Sequence, residues 1–208
     1  MKKKKNHRSK RWLNEHFRDH FIRKRDINHL RSRAWFKLHE IDLKYHLFKK
    51  GMNVVDLGSA PGSWSQYAIK KIGKNGLVIS CDVNFMHAIP GVFFLQGDIK
   101  NIDVFNKLLT MIKDKKIHFI MSDIAPNITG ISYIDMSNIV SLFKLVIKIT
   151  LKVLSNRGSF LVKIFHGNEW NFFLEQLRSF FSNITICKPS ASKNCSREIF
   201  VLARGFRK

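Results

Sequence analysis

The chain has 208 residues, enough for one ordinary domain with an extension and too few for two full domains. Hydrophobic residues make up 45% of it, with 18 Phe and 4 Trp, so a globally disordered chain is excluded. Lys and Arg number 37 against 15 Asp and Glu, a net +22 that destabilises a compact monomer unless a polyanion uses it, and nucleic acid is the expected partner.

The charge is concentrated at the start. Residues 1–50 hold 17 basic residues against 5 acids, a net +12, and Met1 to Arg11 (MKKKKNHRSKR) contains no acid at all. Two readings stay open for this segment, a mobile arm that touches phosphates and a solubilising tail. We divide the chain into a basic N-terminal arm over 1–30 and a folded domain over 31–208. No signal peptide is expected, because the basic start runs into Trp12-Leu13-Asn14-Glu15 before any apolar region forms, and a cytoplasmic location follows. Helical apolar spacing begins at 32–48, with Trp35, Leu38 and Ile41 on one side.

From Gly51 onward short β-rich runs alternate with helical patterns. Strands are expected at 53–57, 77–82, 92–95, 118–123 and 159–165, and helices at 64–72, 104–112 and 136–154, with the connection after Asp82 left open. A further helix over 169–181 precedes strands at 184–187 and 198–203, whose connecting loop permits antiparallel pairing. The fold class is therefore α/β, a seven-stranded, mostly parallel sheet with helices on both faces. The most apolar stretch, 139–154, carries Lys144, Lys148 and Lys152 along one helix face, which excludes a membrane span there. Cys81, Cys187 and Cys195 form neither a CxxC pair nor a disulfide framework. With nine His they supply no metal constellation, so no metal is expected, and a reducing compartment fits. His16 and His20 read as basic surface. Oligomeric state has no signature in the sequence.

Open α/β sheets bind ligands at the carboxyl ends of their strands. The first strand runs into Asp56-Leu57-Gly58-Ser59-Ala60-Pro61-Gly62-Ser63-Trp64, a tight turn that is neither GxGxxG nor a P-loop. Asp82 ends the second strand and Asp98 follows the third. With Asp56 they place three carboxylates on adjacent strand ends, which suits a cationic, hydroxyl-rich nucleoside such as S-adenosylmethionine and repels polyphosphate. Taken singly, each acid is an ordinary turn or cap residue. Asp123 leaves the fourth strand just before Pro126-Asn127. Lys163 interrupts the run Phe160-Leu161-Val162-Lys163-Ile164-Phe165, which otherwise reads as a central strand. A lysine there needs a partner, for which Asp123 is the candidate; the alternative is a frayed strand end from which it reaches solvent. Lys37 and Glu198, taken alone, read as surface charges.

The segments RSRAWFKL (31–38), VVDLGSAPGSWSQY (54–67), SDIAPN (122–127), SFLVKIF (159–165) and SREIF (196–200) closely resemble the FtsJ/RrmJ (RlmE) family of ribosomal RNA 2′-O-ribose methyltransferases. Similarity runs from about Arg11 to the C-terminus. The resemblance implies a Rossmann-like class I S-adenosylmethionine-dependent methyltransferase fold and a catalytic tetrad Lys37, Asp123, Lys163 and Glu198. It implies cofactor contacts on Gly62, Trp64, Asp82, Asp98 and Asp123, and as substrate a uridine of large-subunit (23S) ribosomal RNA in an assembled or nearly assembled subunit. Ser63, where the bacterial family usually has glycine, is a departure in the cofactor loop. Lys163 is the expected proton acceptor, oriented by Asp123 and Glu198, with Lys37 on the hydroxyl or its phosphate; the alternative is a Lys163 that stays protonated and positions the hydroxyl. Arg8, Lys10, Arg11, Arg18, Arg23, Lys24, Arg25, Arg31 and Arg33 are expected to form a phosphate-binding face. The alternatives are a transfer-RNA or cap 2′-O-methyltransferase and a non-catalytic ribosome-assembly factor that binds RNA.

Overall fold

The structure, a computed structural model, describes residues 27, 29–165, 167, 169–192 and 196–208. The arm assigned to 1–30 lies, but for Ile27, His29 and Leu30, outside the described residues, and so do Cys195, His16, His20 and the phosphate-face residues from Arg8 to Arg25. The domain begins with α1 (Ala34–Tyr45), which buries Leu38 and Ile41. The helix is shorter than its apolar spacing, ending where His46 turns left-handed at φ 51°. There Asp42 Oδ1 accepts the Leu47 amide at 2.8 Å in place of a helical bond.

Strands and helices then alternate: β1 (Asn53–Leu57), α2 (Ser63–Ile72), β2 (Leu77–Asp82), β3 (Val92–Gln96), α3 (Ile102–Ile112), β4 (Ile117–Ser122), α4 (Ser132–Val153) and β5 (Leu154–Phe165). They are followed by α5 (Trp170–Phe180), β6 (Phe181–Cys187) and β7 (Glu198–Phe206). No helix fills the connection after Asp82. α4 starts one turn earlier than its apolar pattern, because Asp135 accepts the amides of Thr129 at 2.7 Å and Gly130 at 3.0 Å and secures the turn that leads into it. Among the described residues no helix is long and apolar enough to cross a membrane, and Lys144 and Lys148 keep one face of α4 in water.

The strand order is β3-β2-β1-β4-β5-β7-β6. The first five strands pair in parallel, and β7 is inserted antiparallel to both β5 and β6. Alternation along each strand divides the core into two layers. Val54, Phe119, Leu161 and Phe200 pack against α1 and α2, while Val55, Ile120, Val162 and Val201 pack against α3, α4 and α5. The strand order reverses between β1 and β4, so their connections diverge and leave a crevice at the carboxyl ends.

Candidate functional site

The loop after β1 is held from two sides. Gly58, at φ 78°, lies so close to β4's exit that a Cβ there would stand 2.7 Å from the Ile124 Cα, so the turn requires glycine. Its amide donates to the Cys81 carbonyl at 2.9 Å, and the Ala60 amide donates to Asp82 Oδ2 at 2.9 Å. On the outer side the Arg31 guanidinium donates to the carbonyls of Pro61 at 3.0 Å, His87 at 2.7 Å and Ala88 at 2.9 Å, tying this loop to the one after β2. Arg33 likewise donates to the Ala191 carbonyl at 2.5 Å. These two guanidiniums, expected on a phosphate face, here donate to internal carbonyls. The physical reason is that each lies beside a turn whose carbonyls have no helix or sheet partner.

A cleft of about 300 Å³ opens where β1 and β4 diverge, lined by Asp82, Asp98 and Asp123 together with Ile99, Ile124 and Leu142. Asp82 spends one oxygen on Ala60 and the other on the Asn84 amide at 2.8 Å, and Asp98 Oδ1 accepts the Lys100 amide at 2.9 Å. A carboxylate has about four acceptor positions, so both keep free lone pairs for hydroxyl groups. Acceptors alternating with apolar walls form the acceptor set that a nucleoside bearing ribose hydroxyls and positive charge requires, and S-adenosylmethionine fits it.

Asp56 is not part of that lining. It shares the face of Val54, is fully buried, and accepts the Ser65 hydroxyl at Oδ2 at 2.6 Å while Oδ1 has no hydrogen-bond partner. Burial first, and then the charges of Asp123 and Asp82, push its carboxyl up to about 7. The three acids that face the cleft are thus Asp82, Asp98 and Asp123, because strand alternation turns Asp56 towards α2.

Beyond Asp123 stand two cation–carboxylate pairs. Lys163 Nζ lies 2.9 Å from Asp123 Oδ1 and donates to the Asp123 carbonyl at 2.6 Å. Its side chain is 9% exposed, so it ends in an ion pair and not in solvent. Lys37, from α1, lies 2.6 Å from Glu198 Oε1 at the start of β7 and 5.7 Å above the Phe200 ring. The β5–β7 register pairs Lys163 with Phe200 and Phe165 with Glu198, which sets Lys163 and Glu198 diagonally on one face of the sheet. Burial pulls the Glu198 carboxyl up, but the hydrogen bond and charge of Lys37, with Ser192 and Lys163 adding to them, leave it below the ordinary range. The four residues Lys37, Asp123, Lys163 and Glu198 are thereby gathered at the ends of β4, β5 and β7.

Two of the expected cofactor residues stand apart from the cleft lining. Trp64 is buried, donates its indole N–H to the Ala34 carbonyl at 2.9 Å and packs on Phe200. Gly62 precedes α2 at φ 102°, where a Cβ would meet Met86, Arg31 and Ile89. Both shape the loop from behind. The sequence reading overlooked the Ser65–Asp56–Ser80 cluster, in which Ser80 and Ser65 hydroxyls lie 2.7 Å apart; two serines at inward positions of apolar elements were its signal.

The profile of the FtsJ-like methyltransferase family matches residues 30–206. The chain is 51% identical over 203 residues to the ribosomal RNA large subunit methyltransferase E of Buchnera aphidicola subsp. Schizaphis graminum, covering 98% of each chain. It is 49% identical over 207 residues to the protein of the same name from Buchnera aphidicola subsp. Baizongia pistaciae, covering 99% of each. Among solved structures, one described as a ribosomal RNA methyltransferase from Plasmodium falciparum superposes with a TM-score of 0.75 at 32% identity, over 85% of this chain and 98% of that one.

Proposed function

The chain belongs to the FtsJ-like methyltransferase family, and from that premise we propose that it methylates the 2′-oxygen of a uridine ribose in large-subunit (23S) ribosomal RNA, using S-adenosylmethionine. The substrate is the assembled or late-assembling large subunit, and the reaction takes place in the cytoplasm. The observation that carries this reading is the Lys163–Asp123 pair at the edge of a carboxylate-lined cleft.

The cofactor, when bound, supplies a methyl carbon made electrophilic by its sulfonium. Asp82 and Asp98 would hold its hydroxyl groups and Asp123 would complement its positive charge, while Gly62 and Trp64 shape the loop after β1 from behind. A ribose hydroxyl is a weak nucleophile, so its proton must leave as the methyl carbon approaches. Lys163 accepts that proton once it has released to solvent the one it holds in the pair with Asp123. It donates one N–H to the Asp123 carbonyl, and the Asp123 carboxylate 2.9 Å away holds the amine at the edge of the cleft, where the hydroxyl arrives. Glu198 holds Lys37 in place, and the Lys37 ammonium positions the hydroxyl or the adjacent phosphate.

The test is transfer of labelled methyl groups into large ribosomal subunits, protein-free ribosomal RNA and transfer RNA in parallel. Label in the large subunit, at a ribose 2′-oxygen, is the expected result. Label confined to transfer RNA, or none in any RNA despite cofactor binding, would overturn the substrate assignment. Lys163→Ala is expected to abolish transfer and retain cofactor binding; normal turnover by this variant would remove Lys163 from the chemistry.

A further inference from the structure

The parallel strands that direct their carboxyl ends to the cleft direct their amino ends to the opposite side of the domain, and positive charge collects there. Two concavities open on that side. One, of about 470 Å³, is lined by Lys49, Lys116, His118, Arg157 and Arg204 among neutral residues. The other, of about 400 Å³, is lined by Lys113, Lys115, Lys152 and Lys208. They share Ser155, so the two form one continuous surface, and no Asp or Glu lines either of them. Asp114 lies within the Lys113–Lys116 run but outside both linings.

Fixed charge of one sign on a fold costs self-repulsion unless carboxylates neutralise it. Here they do not: among the described residues no ion pair engages Lys49, Lys113, Lys115, Lys116, Lys152 or Arg157, all of which are exposed. Lysines with their heads free can each meet a phosphate oxygen without first giving up a protein partner. Neutral donors sit among them. His118 Nδ1 accepts the Asn53 amide at 2.9 Å, so its proton is on Nε2 and available to an acceptor, and the hydroxyls of Ser155 and Ser159 line the same wall. Cations interleaved with neutral donors along one continuous surface are what a chain of phosphodiesters requires; Leu47, Met52, Leu109, Ile112, Val153 and Leu154 form the floor between them.

β4 spans six residues between this surface and the exit at Asp123, a separation of about 20 Å. The nucleotide at Lys163 cannot reach that far. We propose that the end of the domain opposite the cleft is a second phosphodiester-binding surface, seating a segment of RNA distinct from the one presented to Lys163. This rests on the reading that the substrate is a large RNA particle, in which two separate segments can face one protein.

The experiment compares two triple variants of the full chain in binding to large ribosomal subunits as salt is varied. One is Lys49→Gln/Lys116→Gln/Arg157→Gln; the other, with equal loss of charge, is Lys107→Gln/Lys144→Gln/Lys148→Gln on the exposed faces of α3 and α4. Each lost phosphate contact lowers the log–log salt slope by roughly 0.7–0.9. The first triple is expected to lower the slope by about 2–3 and the affinity on the order of tenfold to a hundredfold at moderate salt, with cofactor affinity and melting temperature unchanged. The second is expected to bind like the wild type. Equal losses in both triples would mean that net charge alone acts, and no loss in the first would mean that the surface is unused; either overturns the proposal. Displacement of wild-type protein by inorganic phosphate, beyond what chloride at equal ionic strength achieves, would assign the surface to a free anion instead. Wild-type protein that binds no RNA would overturn the reading beneath it, which is a different result from a silent first triple. Arg157→Gln alone, at an exposed position near the start of β5, repeats the comparison with less disturbance to the fold.

Discussion

Asp56 makes the stability of this domain depend on pH in a direction opposite to that of an ordinary paired carboxylate. Its carboxyl titrates at about 7 in the folded chain, against 3.8 when solvated, because burial and the charges of Asp123 and Asp82 oppose ionisation. The folded state therefore binds one more proton than the unfolded state between those two values, and stability falls as pH rises through that window. Below pH 3.8 the contribution is fully present; above 7 it is fully lost. The difference of about three pKa units corresponds to roughly 4 kcal/mol, since one unit is about 1.4 kcal/mol. In a domain of this size that is a melting-temperature change of roughly 8–16 °C. Asp56→Asn retains an acceptor for Ser65 and cannot ionise. Its melting temperature, followed from pH 4.5 to 8, is expected to decline less than that of the wild type, with the difference between the two profiles accumulating below pH 7 and flat above it. Parallel profiles would refute the argument, since every other titrating group is common to both proteins.

Three further outcomes follow from the same geometry. Glu198→Gln leaves the Lys37 ammonium, 11% exposed, without its partner, and is expected to cost about 3–5 kcal/mol in chemical denaturation. The double variant Lys37→Met/Glu198→Leu is expected to recover most of that loss while transferring no methyl group, and a double variant as unstable as the single one would contradict this. Gly58→Ala forces a Cβ against the Ile124 backbone at a positive φ, for a loss of about 2–5 kcal/mol together with cofactor affinity measured by calorimetry. Arg31→Ala removes three charge-assisted hydrogen bonds from the loops after β1 and β2. Hydrogen exchange of amides 83–91 is expected to accelerate by roughly thirtyfold, for about 2 kcal/mol of local stability, and unchanged exchange would show that the guanidinium is not what ties the loops together.

Local pattern carried most of the architecture. Alternating β-rich and helical runs place β1 to β4 nearly where they stand, because a strand's burial is written in neighbouring residues, whereas β5 begins at Leu154, five residues before its expected start; the glycines at Gly58 and Gly62 mark the turn because only a residue without a Cβ fits it. Element ends were less legible. The start of α4 depends on Asp135 reaching back to Thr129 and Gly130, and the end of α1 on Asp42 reaching forward to Leu47; both are side-chain caps outside any apolar period.

The sequence by itself determined the fold class and the family, and it singled out Lys37, Asp123, Lys163 and Glu198 as the candidate site, because they stand in segments specific enough to be recognised. Tertiary structure alone decided how they are paired. Which lysine meets which carboxylate depends on the register of β5 against β7 and on the placement of α1 over Phe200, relations between segments far apart in the chain. The same holds for Arg31 and Arg33, drawn to internal carbonyls, and for Asp56, turned beneath the cleft and away from it. A charge has the same sign wherever the chain places it, but its partner, its burial and hence its energy are set only when strands and helices pack.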